Sequence, residues 1–198
     1  TVVPAQALKR LRDAVRSSPG VGTATPLSNN GEFTSFPVAN RSNPLPPHDQ
    51  IEELDHLASL ANFGRIVDIP NGIGFCLYIT RECLDVVGEL SDDFHRGYLE
   101  DVDLCLRAAE ADFRNVCVPS VFVGHEGSLS FLGEKRSLVM RNLRVLEHRY
   151  PRYAAECAAF VLADPLRESR ATLEQAVLSR AGSSAPHLIL CGSTAVRD

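Results

Sequence analysis

The run NVCVPSVFVGHEG, residues 115–127, constrains this chain more than any other stretch. Val116, Val118, Val121 and Val123 are interleaved with Cys117 and Phe122, which leaves little polar surface on either side of an extended backbone. Near-continuous β-branched runs of this kind are buried on both faces, as in sheets covered by helices. The run is expected to form a strand pair.

Helical periods supply the cover. Residues 5–16 place Leu8, Leu11 and Val15 on one face, with Pro4 suited to the first turn and SSPG as the stop. Residues 21–26, VGTATP, alternate as a short strand and lead into the polar loop 27–31. The segment 37–50 is rich in Pro, Asn and Ser and reads as an irregular surface loop, a length of loop that often carries function. A helix is expected over 49–62, where Asp49 and Glu52 have capping-box spacing and Ile51, Leu54, Leu57 and Leu60 form the stripe. Strands are expected at 65–70 and 75–79, separated by Asn71-Gly72-Ile73-Gly74. Thr80 then caps a short helix stopped by Gly88.

Further helices are expected at 100–111, 132–149 and 152–181. The second carries Val139, Leu143, Leu146 and Tyr150 on one side and Lys135, Arg136, Arg141, Arg144 and Arg149 on the others, ordinarily a solvated face. Strands alternating with helices indicate an α/β class. The expected organisation is a main unit over 1–150, a helical extension over 151–181, and a linker over 182–198 that opens a following domain.

Composition narrows the function classes. With 44% hydrophobic and 23% charged residues the chain can bury a core, and a net charge of -5 disfavours nucleic acid as the partner. The six cysteines contain no CxxC pair, so zinc-ribbon and thioredoxin-type motifs are not supported, and a reducing cytoplasm is the simpler setting. No apolar run reaches the roughly 18–20 residues that span a bilayer.

The stretch YLEDVDLCLR, 98–107, gathers Glu100, Asp101 and Asp103 where a helix begins. Acids in a first turn interact favourably with the helix dipole, by about 0.3–1 kcal/mol each. Asp103 and Arg107, four apart, are expected to pair on the helix surface. That account covers Asp103 better than Glu100 and Asp101, which a glycine-containing loop delivers to the junction. His125, at a strand end, reads either as a hydrogen-bonded structural residue or as a ligand. Gly72 and Gly74 read either as turn formers or as part of a binding loop.

The block 69–131 resembles the family 2 glycosyltransferases with the GT-A fold, especially bacterial enzymes of polysaccharide and O-antigen assembly. The resemblance rests on ordered elements: the Gly-Ile-Gly loop into a strand, a helix ending in Val-Gly, the acid-rich Asp92-Asp93-Phe94, then Glu100-Asp101 with Arg107 trailing. A strand closing in His125 and the tail Gly-Ser-x-Ser-Phe, 127–131, complete it. It implies the C-terminal, acceptor-side part of a Rossmann-like GT-A domain, lacking the N-terminal nucleotide-binding strands. Thr1-Val2-Val3-Pro4 resembles the residues that follow the family's metal-binding DxD acids, which are expected upstream of residue 1, so the transferase is the parent protein and residues 1–198 alone are expected to turn over little or no sugar nucleotide.

The roles implied are those of an inverting transferase. Asp101 matches the general base that deprotonates an acceptor hydroxyl, with Glu100 beside it to raise a carboxyl pKa. Arg107 orients the acid or the diphosphate, and Asn71, Gly72, Ile73 and Gly74 lie near the donor sugar and acceptor. His125 matches a ligand to Mn²⁺ or Mg²⁺, which acts as a Lewis acid on the leaving diphosphate. The partners implied are a nucleotide-diphosphate sugar and a glycan or lipid-linked acceptor, with weak peripheral attraction to an anionic membrane. Two other readings stand beside this one: a non-catalytic GT-A remnant that binds a glycan or partner, and a purely structural α/β piece. The last expects Asp101 and His125 to lie far apart.

Overall fold

A computed structural model describes residues 1–94, 98–127 and 135–180. In chain order these form α1 (Ala7–Ser17), β1 (Val21–Ser28), a 3-10 turn (Glu32–Thr34), α2 (His48–Ala61), β2 (Val67–Asp68), β3 (Tyr78–Ile79), α3 (Arg81–Val87), α4 (Glu100–Glu110), β4 (Arg114–Val123), α5 (Lys135–Arg149), α6 (Tyr153–Ala163) and α7 (Arg167–Arg180). The class is α/β. The four strands make one mixed sheet in the order β2-β4-β1-β3, with β1 parallel to β4 and the two short edge strands antiparallel to their neighbours.

The valine run is buried as expected, but as one strand and not a pair. Val116 and Val118 pack with Ala7, Leu11 and Val15 of α1, while Cys117 faces Ile51 and Ala58 of α2 and Leu173 of α7. Beyond Pro119 the phase changes: Val121 and Val123 face the α1 layer and Phe122 the α2 layer. The ladder shows why, because Pro26 pairs with Val118 but Leu27 pairs with Phe122. Extra residues in β4 make a bulge where proline leaves no amide for the ladder.

Several boundaries differ from the expectation, each for a local reason. In α1 the inward stripe is Ala7, Leu11 and Val15, and Leu8 is exposed. The capping box at Asp49 does not form; Pro47 stands at the cap of α2, Leu60 points outward, and Asp55 and Ala58 face the core. Asp55 accepts the Phe122 amide at 3.0 Å and pairs with Arg10, so a buried carboxylate satisfies a β4 edge group. The strands at 65–70 and 75–79 shrink to two residues each, and between them the amides of Gly72, Ile73 and Gly74 bond to side chains. Thr80 caps α3 by accepting the Cys83 amide at 3.1 Å, and Gly88 ends it, as expected.

The final helical stretch breaks at Asp164-Pro165, where Asp164 adopts a left-handed conformation (φ 44°). Proline cannot continue the ladder and pushes its predecessor out of the helical region. Leu166 and Leu173 fill the core beside Leu27 and Phe122, and Phe160 meets Phe33 edge-on at 5.4 Å. The extension 151–181 thus packs, through residue 180, on the same core as the main unit. Residues 182–198, Arg96-Gly97, residues 128–131 of the Gly-Ser-x-Ser-Phe tail, and the side chains of Lys135 and Arg136 lie outside those described. Among the described residues no helix is long and apolar enough to cross a membrane.

Candidate functional site

Helix α4 carries the acids. It starts after two consecutive non-glycine residues with positive φ, Tyr98 (80°) and Leu99 (73°), a conformation that costs free energy and is held only by its surroundings. Asn142 of α5 contributes by donating to the Tyr98 carbonyl at 3.0 Å. The turn brings Glu100 and Asp101 to the edge of the loop 70–77.

That loop is pinned from beneath by three successive amides. Gly72 N–H donates to Cys105 Sγ at 3.2 Å, Ile73 N–H to Thr25 Oγ1 at 3.2 Å, and Gly74 N–H to Asp101 Oδ2 at 2.6 Å. Burial pushes the Cys105 thiol up to about 12, so the sulfur is a neutral acceptor. The glycines serve close approach. A β-carbon at Gly74 would lie 2.8 Å from Asp101 Oδ2, and one at Gly72 would lie 2.3 Å from Leu77 Cδ1 and 2.8 Å from Thr25 Oγ1. Asn71 is fully buried and donates to Gly72 O at 2.6 Å. Asn115 joins the loop to α4 by donating to Cys105 O at 2.8 Å and Pro70 O at 3.4 Å.

The next residue, Phe75, stacks on His125 with ring centroids 5.5 Å apart and planes at 21°. Thr1 Oγ1 lies 3.2 Å from His125 Nδ1. The backbone of His125 is clamped by Asn29, which accepts its amide at 2.8 Å and donates to its carbonyl at 2.9 Å. Asn29 also donates to Asn43 O at 3.0 Å, tying down the 37–50 loop. Asp101 and His125 therefore touch consecutive residues of one loop.

The two acids differ. Asp101 accepts from the amides of Gly74 and Val102, the latter at 3.0 Å. Glu100 is half-buried, with Oε2 inaccessible and without a hydrogen-bond partner among the described residues. Burial raises its pKa, and the Asp101 charge adds to the rise against the opposing Glu100 amide.

Asp103 is not the surface acid expected from its spacing. It is fully buried and accepts from Arg107 Nε at 2.9 Å, Arg149 Nη1 at 3.0 Å and Tyr150 Oη at 3.2 Å. Burial, then the Asp103 charge, pushes the Tyr150 hydroxyl up to about 12. Arg107 also donates to Val87 O and to Glu89 O at 2.8 Å. Its donors thus brace α3 and the following loop instead of reaching Asp101. Arg149, assigned by sequence to a solvated face, bonds Asp103 and Asp93 and covers the Phe94 ring. Asn29, which the sequence places in a polar turn, instead clamps His125. Sequence reasoning missed Phe75, Asn115 and Tyr153, of which Phe75, beside the Gly-Ile-Gly loop, had a signal to find it by.

His125 is a single donor, and no group of three His, Cys, Asp or Glu able to hold an ion occurs among the described residues. A divalent ion at His125 would need further ligands from substrate phosphates or from residues outside those described. Two surface concavities among the described residues, of about 500 Å³ and 360 Å³, lie elsewhere, around Arg144, His148 and Arg149 and around Tyr150 and Arg152. They coincide with neither Asp101 nor His125.

No family model and no solved structure matches the chain. It is similar to the uncharacterized protein y4gI of Sinorhizobium fredii (strain NBRC 101917 / NGR234), with 31% identity over 105 residues, covering 46% of this chain. The chain spans 12% of the length of that protein.

Proposed function

We propose that the chain is the acceptor-side part of an inverting glycosyltransferase of family 2, with a GT-A fold and Asp101 as general base. The observation that carries this reading is the shared loop: Gly74 bonds Asp101 and Phe75 stacks on His125. A carboxylate so held takes the proton of an acceptor hydroxyl as its oxygen bonds the anomeric carbon; the bond from that carbon to the diphosphate breaks, inverting the centre. The leaving diphosphate carries its electron pair away and needs positive charge. A divalent ion, Mn²⁺ or Mg²⁺, is part of the reading, but the described residues do not complete its site and no step here is routed through it. The same reading puts the protein in the cytoplasm, at the inner face of the membrane when the acceptor is lipid-linked.

The test is nucleoside-diphosphate release by the longer protein that this reading implies, with its nucleotide-binding part present, from a panel of nucleotide sugars, with Mn²⁺ and with glycan and lipid-linked acceptors. Asp101→Asn is expected to lower turnover by about 10²–10⁴-fold while leaving calorimetric donor binding intact. Unchanged turnover in Asp101→Asn would remove Asp101 from the chemistry. A second reading, a non-catalytic glycan-binding module, is favoured by the commitment of Asp101 to two backbone amides. It predicts glycan binding without turnover.

A further inference from the structure

Helix α6 is predominantly apolar, YAAECAAFVLA, yet none of its residues is fully buried. Its half-buried residues are Tyr153, Cys157 and Phe160, spaced along one face. Phe160 packs on Phe33. Tyr153 does something else: its hydroxyl donates to Asn71 Oδ1 at 2.9 Å. Asn71 is fully buried, and its amide nitrogen donates to Gly72 O at 2.6 Å. Gly72 and Gly74 then donate to Cys105 and Asp101. A line of hydrogen bonds thus runs from the C-terminal helices, through one buried asparagine, to the loop that grips the acid.

We propose that Tyr153 is a positioning residue for the proposed transfer site, holding the 71–74 loop through Asn71 so that Gly74 fixes the Asp101 carboxylate. The proposal rests on the glycosyltransferase reading for its catalytic consequence and on geometry alone for the tether. It makes α6 part of the site and not a covering appendage. The physical basis is satisfaction: Asn71 is sealed from water, so loss of the tyrosine hydroxyl leaves its carbonyl oxygen short of a donor, and the loop must shift to regain one. Burial raises the Tyr153 pKa, which keeps the hydroxyl a donor.

Tyr153→Phe removes the hydroxyl and keeps the ring. In the full chain, amide exchange by NMR at Gly72, Ile73 and Gly74 is expected to quicken about fivefold or more, with Val116 and Val118 unchanged. Asn71→Ala should quicken the same amides, and Tyr153→Phe added to it should do nothing more. In the turnover assay, kcat is expected to fall about fivefold with the donor KM unchanged. Unaltered exchange at 72–74, or additive effects of the two substitutions, would overturn the tether. Local exchange that quickens while kcat stays at the wild-type value would overturn the catalytic role. If the longer wild-type protein, with its nucleotide-binding part, turns over no nucleotide sugar, the transferase reading and that catalytic role fall together, and exchange alone decides the tether.

Discussion

Replacing Asp103 with alanine tests the buried cluster that sets the position of α4. The carboxylate is fully buried and accepts three hydrogen bonds, from Arg107, Arg149 and Tyr150. Breaking a buried ionic cluster by removing one partner typically costs about 3–5 kcal/mol. Here the two arginines are 24% and 34% exposed and recover water, so the lower end applies, about 3 kcal/mol. For a chain of this size that corresponds to a fall in Tm of about 6–12 °C. Urea denaturation at neutral pH, read by far-ultraviolet dichroism, measures the free energy directly. Asp103→Asn keeps two acceptor-side contacts and should lose less than the alanine variant. A loss for Asp103→Ala within about 0.5 kcal/mol of zero would refute the reasoning, because exposed helix pairs give that value.

Two further outcomes are expected. The pKa of Glu100 is raised in the folded chain above its ordinary 4.5, so the folded state binds the proton more tightly and stability falls as pH rises through the interval above 4.5. Glu100→Gln should therefore gain in Tm over wild type from about pH 5 upward, with the gain vanishing near pH 4; parallel curves would contradict this. Asn29→Ala should cost about 2–3 kcal/mol, as it strands both backbone groups of His125 and removes the donor to the Asn43 carbonyl, which loosens the 37–50 loop. Trypsin should then cleave after exposed Arg41 sooner than in wild type, and an unchanged cleavage rate would contradict the clamp.

Hydrophobic pattern was legible wherever one residue type dominated. The valine run, the Thr80 cap and the Gly88 stop all appear in the expected places, as does the helix after the acid pair. Pattern failed where a side chain decides the outcome from across the fold. The spacing of Asp103 and Arg107 states that they pair, but not that Arg149 and Tyr150, from more than forty residues on, also bond the buried Asp103. The glycines at 72 and 74 announce a loop, but not that its amides are spoken for by Cys105, Thr25 and Asp101. Asp164-Pro165 was a readable break, and the periodicity on either side masked it.

The displaced phase in β4 has a consequence for how the chain tolerates change. With Val121 and Val123 turned to the α1 layer, Gly124 backs onto Ile51 of α2, and His125 points the other way, to Phe75. Length at residues 119–120 therefore governs the site more than identity does. Substitutions there leave the imidazole in place, whereas deleting one residue restores plain alternation and turns it to the opposite face of the sheet. A strand otherwise filled with interchangeable valines thus contains a counting constraint, and the side chain that depends on the count is five residues beyond it.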